Sequence, residues 1–378
     1  MRDWRNWAAP AALLLAVLVL FAPALARPDR FLHPTYSPHS DLTVIHWPKV
    51  QLQAEAWRTS GTLPLWTPAN LSGMPLAANQ LAMRFYPPAW LLLPLADAGG
   101  AGFNLFFVLH LWWAALGVYW LLRRGGRLDR LPALIGGLTF ALSGKLLAHM
   151  AGGHLSLVAA VAWLPWAFGG LWRLFDARPT LTARLPLALL VGLALAMQLA
   201  THSLIVIYTA YLLVGYAVWE AIAGVRAGRR PTGALLGSLA VIPPVTGVLG
   251  AAPLLWLLEL AGHSNRALSL AEAGQFAVTP LSLAAGLLLP TGQAGHEAII
   301  YLGLAPSLLA GVGLAGAKGV AVPRRRIWVL VAVVAVAMLY ALGTATPLFE
   351  AAYAVLPGLG WVRTPARAFL VAARSEEH

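Results

Sequence analysis

The feature that most limits what this chain can fold into is its series of long apolar runs. About 20 apolar residues in helical form cross the hydrocarbon of a bilayer, and nine runs approach that length. They are Trp7–Leu25, Gly102–Leu122, Leu131–Met150, Leu155–Leu171, two within Leu185–Ala223 hinged near Thr201-His202-Ser203, Ala234–Leu258, Ala298–Leu314 and Ile327–Leu342. Each is bounded by Gly, Pro or charge. Only 11% of the 378 residues are charged, against about a quarter in a soluble domain, and mean hydropathy is +0.72. The expected class is an all-α, polytopic integral membrane protein, with residues 1–378 forming a single transmembrane domain. Ala24-Leu25-Ala26 also resembles a signal-peptide cleavage site. Cleaved or retained, the residues after Arg27 emerge on the far side.

Charge sets the direction. Sixteen of the 26 basic residues fall in alternate connections: Arg2, Arg5, Arg123, Arg124, Arg127, Arg130, Arg173, Arg178, Arg184, Arg226, Arg229, Arg230, Lys318, Arg324, Arg325 and Arg326. By the positive-inside rule those connections and the N-terminus are cytoplasmic, as in a multi-pass protein of the cytoplasmic (inner) membrane. The net charge of +12 is therefore assigned to these loops and to an anionic ligand or lipid surface, not to nucleic acid. Eight of the 14 acids and eight of the 10 histidines fall at the opposite, outer end, where a water-accessible site is expected. The chain has no cysteine, which removes disulfides, thiolate metal sites and a Cys nucleophile.

Residues 27–101 make one long outer loop. Ser40 or Asp41 can cap a helix, Pro48 suits its first turn, and Gly61 ends it. Trp47, Val50, Ala54 and Trp57 recur on one face, so the spacing predicts an amphipathic helix lying along the membrane surface. The Pro/Gly/Asn/aromatic mixture that follows reads as an ordered, irregular loop.

An acid after the first span and an amphipathic helix open a longer pattern. It continues through Gly61-x-Leu63-Pro64-Leu65-Trp66, Gly73-x-Pro75-Leu76-Ala77-x-Asn79-Gln80 and Tyr86-Pro87-Pro88. Glu259-Leu260, Ser264-Asn265-Arg266, Pro280, Leu289-Pro290 and Tyr301-Leu302-Gly303-Leu304 come next. Thr346-Pro347-Leu348, Leu356-Pro357-Gly358 and Arg363-Thr364-Pro365-Ala366-Arg367 close it. In this order, from Asp41 to Leu370, the chain resembles the YfhO-type bacterial membrane proteins of the GT-C glycosyltransferase superfamily. The resemblance implies a GT-C-like helical bundle. It also implies a reaction that takes a sugar from a polyprenyl-phosphate carrier to an extracytoplasmic cell-envelope glycan or lipid acceptor. Such proteins are typically longer, and Ala366–Ala373 is too short to span, so a short form or a truncated chain is expected.

That chemistry needs a carboxylate for the acceptor hydroxyl, cations for the leaving phosphate and a groove for the lipid tail. Asp41 matches the family's first-loop acid, with a helix cap as its structural alternative. Glu259, ending the apolar run Leu254–Leu258, is a second acid, which could instead reach water or pair with Arg266. Arg266, Arg363 and Arg367 are the phosphate candidates, since guanidinium grips phosphate at two points. Arg363 and Arg367 would share a face if helical, although Pro365 lies between them. Arg84 and Lys145 are further cations, and Lys145 could merely snorkel. His46, Trp66, Asn79, Gln80, His154 and His202 are acceptor-binding or supporting groups. Trp47, Trp57, Phe85 and Tyr86 suit sugar stacking and interfacial anchoring equally. His149 and His154 flank Ala151-Gly152-Gly153 at a spacing that is no zinc helix pattern. No cofactor or metal is indicated, although Asp41, Glu259 and a His could hold a divalent ion. Asn70-Leu71-Ser72 is formally a sequon. A transporter or flippase is the competing class, but no internal repeat of the transporter kind is visible. A non-catalytic subunit retaining the fold is the third.

Overall fold

The structure is a computed structural model. It describes residues 5–27, 29, 31, 40–69, 72–228, 231–264, 268–288, 297, 299, 301, 308, 311 and 322–372. The apolar runs form α1 (Arg5–Leu25), α3 (Ala101–Arg124), α4 (Arg130–Ala141), α5 (Gly144–Ala151), α6 (Leu155–Asp176), α7 (Leu181–Leu199) and α8 (Ser203–Arg226), with α2 (Trp47–Ser60) in the loop. Further on come α9 (Gly233–Leu249), α10 (Ala251–Gly262), α11 (Leu270–Ala273), α12 (Pro280–Leu288), α13 (Arg324–Ala341) and α14 (Pro347–Val355).

Six described stretches are long and apolar enough to cross a membrane, and a seventh is a bent pair. The expected count of nine therefore stands at six or seven among the described residues. The expected span Ala234–Leu258 is two helices, α9 and α10, bent by 72°. The expected span Leu131–Met150 is interrupted at Leu142 and Ser143, between α4 and α5. Ala298–Leu314 lies largely outside the described residues, as do Asn70 and Leu71 of the sequon.

Helix α6 is the centre of the bundle, buried along almost its whole length, with α3, α7 and α8 packed on it. Small residues let the backbones approach, as they do between membrane helices. A Cβ on Gly137 would lie 2.6 Å from the Ala115 carbonyl oxygen, and one on Gly192 would lie 2.6 Å from a Val245 methyl.

Two polar ends result. At one, Arg326 at the start of α13 pairs with Asp176 of α6 (2.8 Å) and Glu220 of α8 (2.5 Å). The connections α3–α4, α6–α7 and α8–α9, with Arg123, Arg124, Arg127, Arg130, Arg173, Arg178, Arg184 and Arg226 in or beside them, lie at this end because successive helices alternate in direction.

The long loop covers the other end. Helix α2 ends at Gly61, whose φ of 69° is left-handed. Its buried face is Lys49, Val50, Gln53 and Ala54, whereas Trp57 is 53% exposed. The expected apolar face is thus partly polar, because the Gln53 amide donates to the Ala82 carbonyl at 3.0 Å. Beyond it, β1 (Trp66–Thr67) pairs antiparallel with β2 (Met74–Pro75), Trp66 opposite Pro75. Gln80 fastens the loop to the break between α7 and α8. Its amide donates to the Leu199 carbonyl at 2.6 Å and accepts from the Ser203 N–H at 2.9 Å. Tyr86 adds a buried tie: the Trp163 indole donates to its oxygen (2.8 Å), and its hydroxyl lies 2.7 Å from His110 Nε2.

Candidate functional site

Ser40, not Asp41, caps the turn that opens the ordered loop: its Oγ accepts from the Thr43 N–H at 3.4 Å. Asp41 makes no side-chain cap bond. A π-helical turn follows (Leu42–His46) and lies directly against the α5–α6 connection. Gly153 in that connection has φ +81°, and a Cβ there would lie 2.4 Å from the Leu42 nitrogen. Only glycine allows both the backbone angle and the approach. This approach carries Asp41 to His154, with Oδ2 3.4 Å from Nε2.

From Asp41 a chain of polar groups runs inward. His154 Nδ1 lies 2.7 Å from His149 Nδ1. His149 Nε2 lies 3.7 Å from Glu297 Oε2. Arg367 donates from Nε to Glu297 Oε1 at 2.9 Å, and its Nη2 reaches the same oxygen. Lys145 donates to the Glu297 main-chain carbonyl at 2.6 Å. Asp41 is 43% exposed at the side chain, while His149 is wholly buried. The chain therefore leads from an open carboxylate to an enclosed ion pair.

Two more histidines stand beside it. His46 is buried, and its Nδ1 donates to the Leu81 carbonyl at 3.0 Å. Burial, with help from nearby Lys49 and against the Leu81 carbonyl, pushes its pKa down to about 3. Burial, then Arg367 and His46, lowers His202 to about 3. Burial also lowers Lys49, which Asp41 partly offsets. His202 lines a cavity of about 300 Å³ of mixed character with Asn79, Gln80, Thr201, Ser203 and Leu257. A separate apolar groove of about 390 Å³ runs between α8 and α13, lined by Tyr208, Tyr211, Val333, Tyr340 and Ala368, the residue after Arg367.

Of the residues singled out from the sequence, Asp41, His154, Lys145 and Arg367 come together. Lys145 is 2% exposed, so it does not snorkel. Arg363 and Arg367 do not share a face. Thr364 between them takes a left-handed φ of 72°, leaving Arg363 exposed while Arg367 turns inward. Glu259 is exposed on α10, and among the described residues no ion pair joins it to this cluster. Arg84 faces its own loop, donating to the Pro64 carbonyl at 2.6 Å. Trp66 is 55% exposed and covers Gly73. Asn79 caps the short turn Gln80–Ala82. Arg266 lies outside the described residues.

Two cluster members carried no role in the sequence reading. His149 was legible only as half of a pair flanking a Gly-Gly turn. Glu297 was one outer acid among eight, 143 residues from His154. The donor atoms of His149, His154 and Glu297 lie within 4.8 Å of one another.

No protein family matches the chain, and no curated protein does. Among solved structures it is similar to the arabinofuranosyltransferase AftD from Mycobacteria, at 20% identity and a TM-score of 0.54, over 99% of this chain and 25% of that one. The archaeal oligosaccharyltransferase AglB from Archaeoglobus fulgidus, at 12% identity and a TM-score of 0.46, is covered over 50% of its length by 99% of this chain. The chain thus spans about a quarter of AftD and half of AglB. The likeness to AftD shows the fold alone: a helical bundle like the part of AftD that this chain spans.

Proposed function

We propose that this chain is a YfhO-like bacterial membrane glycosyltransferase that moves a sugar from a polyprenyl-phosphate donor to an extracytoplasmic cell-envelope acceptor. The observation that carries the reading is the placement of half-exposed Asp41 against His154, at the end of the fold that also gathers Lys145 and Arg367. Asp41 would take the acceptor's hydroxyl proton as its oxygen bonds to the sugar's anomeric carbon. The bond from that carbon to the phosphate oxygen breaks, and the polyprenyl phosphate leaves with the electron pair. Arg363, exposed on the segment that leads to Arg367, would meet the departing phosphate. The apolar groove between α8 and α13 suits the prenyl chain, since it opens beside Arg367 and is lined by aromatic and aliphatic groups.

The deciding experiment uses purified protein and a polyprenyl-phosphate sugar. Asp41→Asn keeps the shape but removes the charge, and loss of a general base costs roughly 10²- to 10⁴-fold in rate. Near-normal transfer by this variant would end the role of Asp41. A wild type that neither binds nor turns over the donor, yet moves a solute across liposomes, would replace the reading with a transporter.

A further inference from the structure

We infer that the first turns of α7 and α9 form a binding site for the phosphate of one anionic phospholipid. The site lies at the end of the fold opposite Asp41 and does not depend on sugar transfer. Helices α7 and α9 run parallel and pack on each other, and both begin at the end that carries the basic connections. A helix N-terminus is the positive end of its dipole. Neither helix has an acid in its first turn. Arg184 adds a cation to the first turn of α7, where the dipole already disfavours one.

Arg184 is only 6% exposed. Its Nη1 donates to Thr232 Oγ1 at 3.0 Å and its Nη2 to the Ala177 carbonyl at 3.3 Å. Its buried Nε has no partner among the described residues. The acids Asp176 and Glu220 of this end are engaged by Arg326 and Arg325. A buried guanidinium held by neutral acceptors alone gains from an anion beside it. The donors for that anion converge at Thr232, the cap of α9. Its oxygen accepts from Arg184 and from the Leu235 N–H (3.2 Å), so its own proton is left to donate. The N–H groups of Gly233 and Ala234 follow, with no partner among the described residues. A Cβ built on Gly233 meets nothing within 4 Å, so the space beside these donors is open.

The surroundings select the ligand. N–H and O–H donors at a helix start, with a guanidinium behind them, suit phosphate oxygens. Leu181 and Leu236 on the same two helices are 49% and 54% exposed, where acyl chains would lie. Arg178 and Arg226, exposed near the connections that lead into α7 and α9, favour a headgroup of net negative charge over a zwitterionic one. A free phosphate would meet the same cations but make no use of the apolar flanks.

The test uses the full chain, delipidated in a neutral detergent. Short-chain phosphatidylglycerol, phosphatidylcholine of the same chain length and inorganic phosphate are added separately at equal ionic strength. Melting midpoint and native mass spectrometry report binding. Phosphatidylglycerol should raise the midpoint and remain bound at one molecule per chain, while the other two do neither. Arg184→Gln should weaken this binding about tenfold. Gly233→Asp puts a carboxylate where the phosphate would sit. It should raise the midpoint without lipid, since an acid suits a helix N-terminus, and abolish the gain from phosphatidylglycerol. That variant keeps the test decisive should Arg184→Gln fail to fold. Wild type that gains nothing from phosphatidylglycerol overturns the site, as does a folded Gly233→Asp variant that binds it like wild type. An equal gain from inorganic phosphate or from phosphatidylcholine overturns the anionic lipid as the ligand.

Discussion

Gly153 and Leu42 are in backbone contact: a Cβ on the glycine would lie 2.4 Å from the Leu42 nitrogen. This one approach joins the start of the long loop to the turn between α5 and α6. It is the reason Asp41 reaches His154.

Gly153→Ala should therefore damage the site without touching any of its polar groups. The left-handed φ alone costs an L residue about 1–2 kcal/mol, and the backbone overlap adds to it. A lower melting midpoint is expected, together with loss of most turnover. In that background Asp41→Asn should subtract little more, which a double-mutant cycle on turnover would measure. Full additivity would show that the contact does not place Asp41.

Arg363 and Arg367 should behave differently despite their matching chemistry. Arg367→Ala leaves Glu297 enclosed without its guanidinium, a loss of roughly 3 kcal/mol for a buried pair. Glu297→Gln in the same chain should recover part of that stability. Arg363 is exposed, so Arg363→Ala should change stability by no more than about 0.5 kcal/mol, and its effect should appear in donor binding. Melting midpoints and donor titrations of the two variants check this.

Tyr86→Phe tests the tie between loop and bundle. His110 Nδ1 lies 2.7 Å from the Phe106 carbonyl, so that nitrogen carries the proton and Nε2 accepts from the Tyr86 hydroxyl. The Trp163 indole donates to the same hydroxyl. Removing it strands two buried groups, at about 1–3 kcal/mol each. A melting midpoint equal to wild type would show that neither bond contributes.

Acid should destabilise the protein before its carboxylates titrate. His46 is held neutral by burial, with a pKa of about 3 against an ordinary 6.5. Below pH 6.5 the unfolded chain takes up a proton that folded His46 refuses until about pH 3. Stability therefore falls with pH across that window, by about 2 kcal/mol at pH 5 for this one residue. His202 shifts the same way. His46→Asn should flatten the decline in melting midpoint between pH 7 and pH 5, and an unchanged slope would remove His46 as its source.

The sequence alone determined the membrane class, most of the helix positions and the separation of basic connections from acids and histidines. These are local properties. A run of apolar residues must bury its backbone polar groups in helix within a bilayer wherever it lies in the chain, and Pro, Gly and charge mark its ends. It also brought forward Asp41, because that residue matches the first-loop acid of the family the chain resembles. The tertiary structure alone decided which polar groups meet. Glu297 joins His149 and Arg367 although it stands 148 and 70 residues from them in the chain, and no periodicity records that distance. It decided that Arg367 turns inward while Arg363 does not, through one left-handed residue at Thr364. It bent the seventh expected span by 72° between α9 and α10, where hydropathy reads a single run. Hydropathy sums over neighbours in sequence, whereas a site is a set of neighbours in space, set by packing contacts such as that of Gly153 on Leu42.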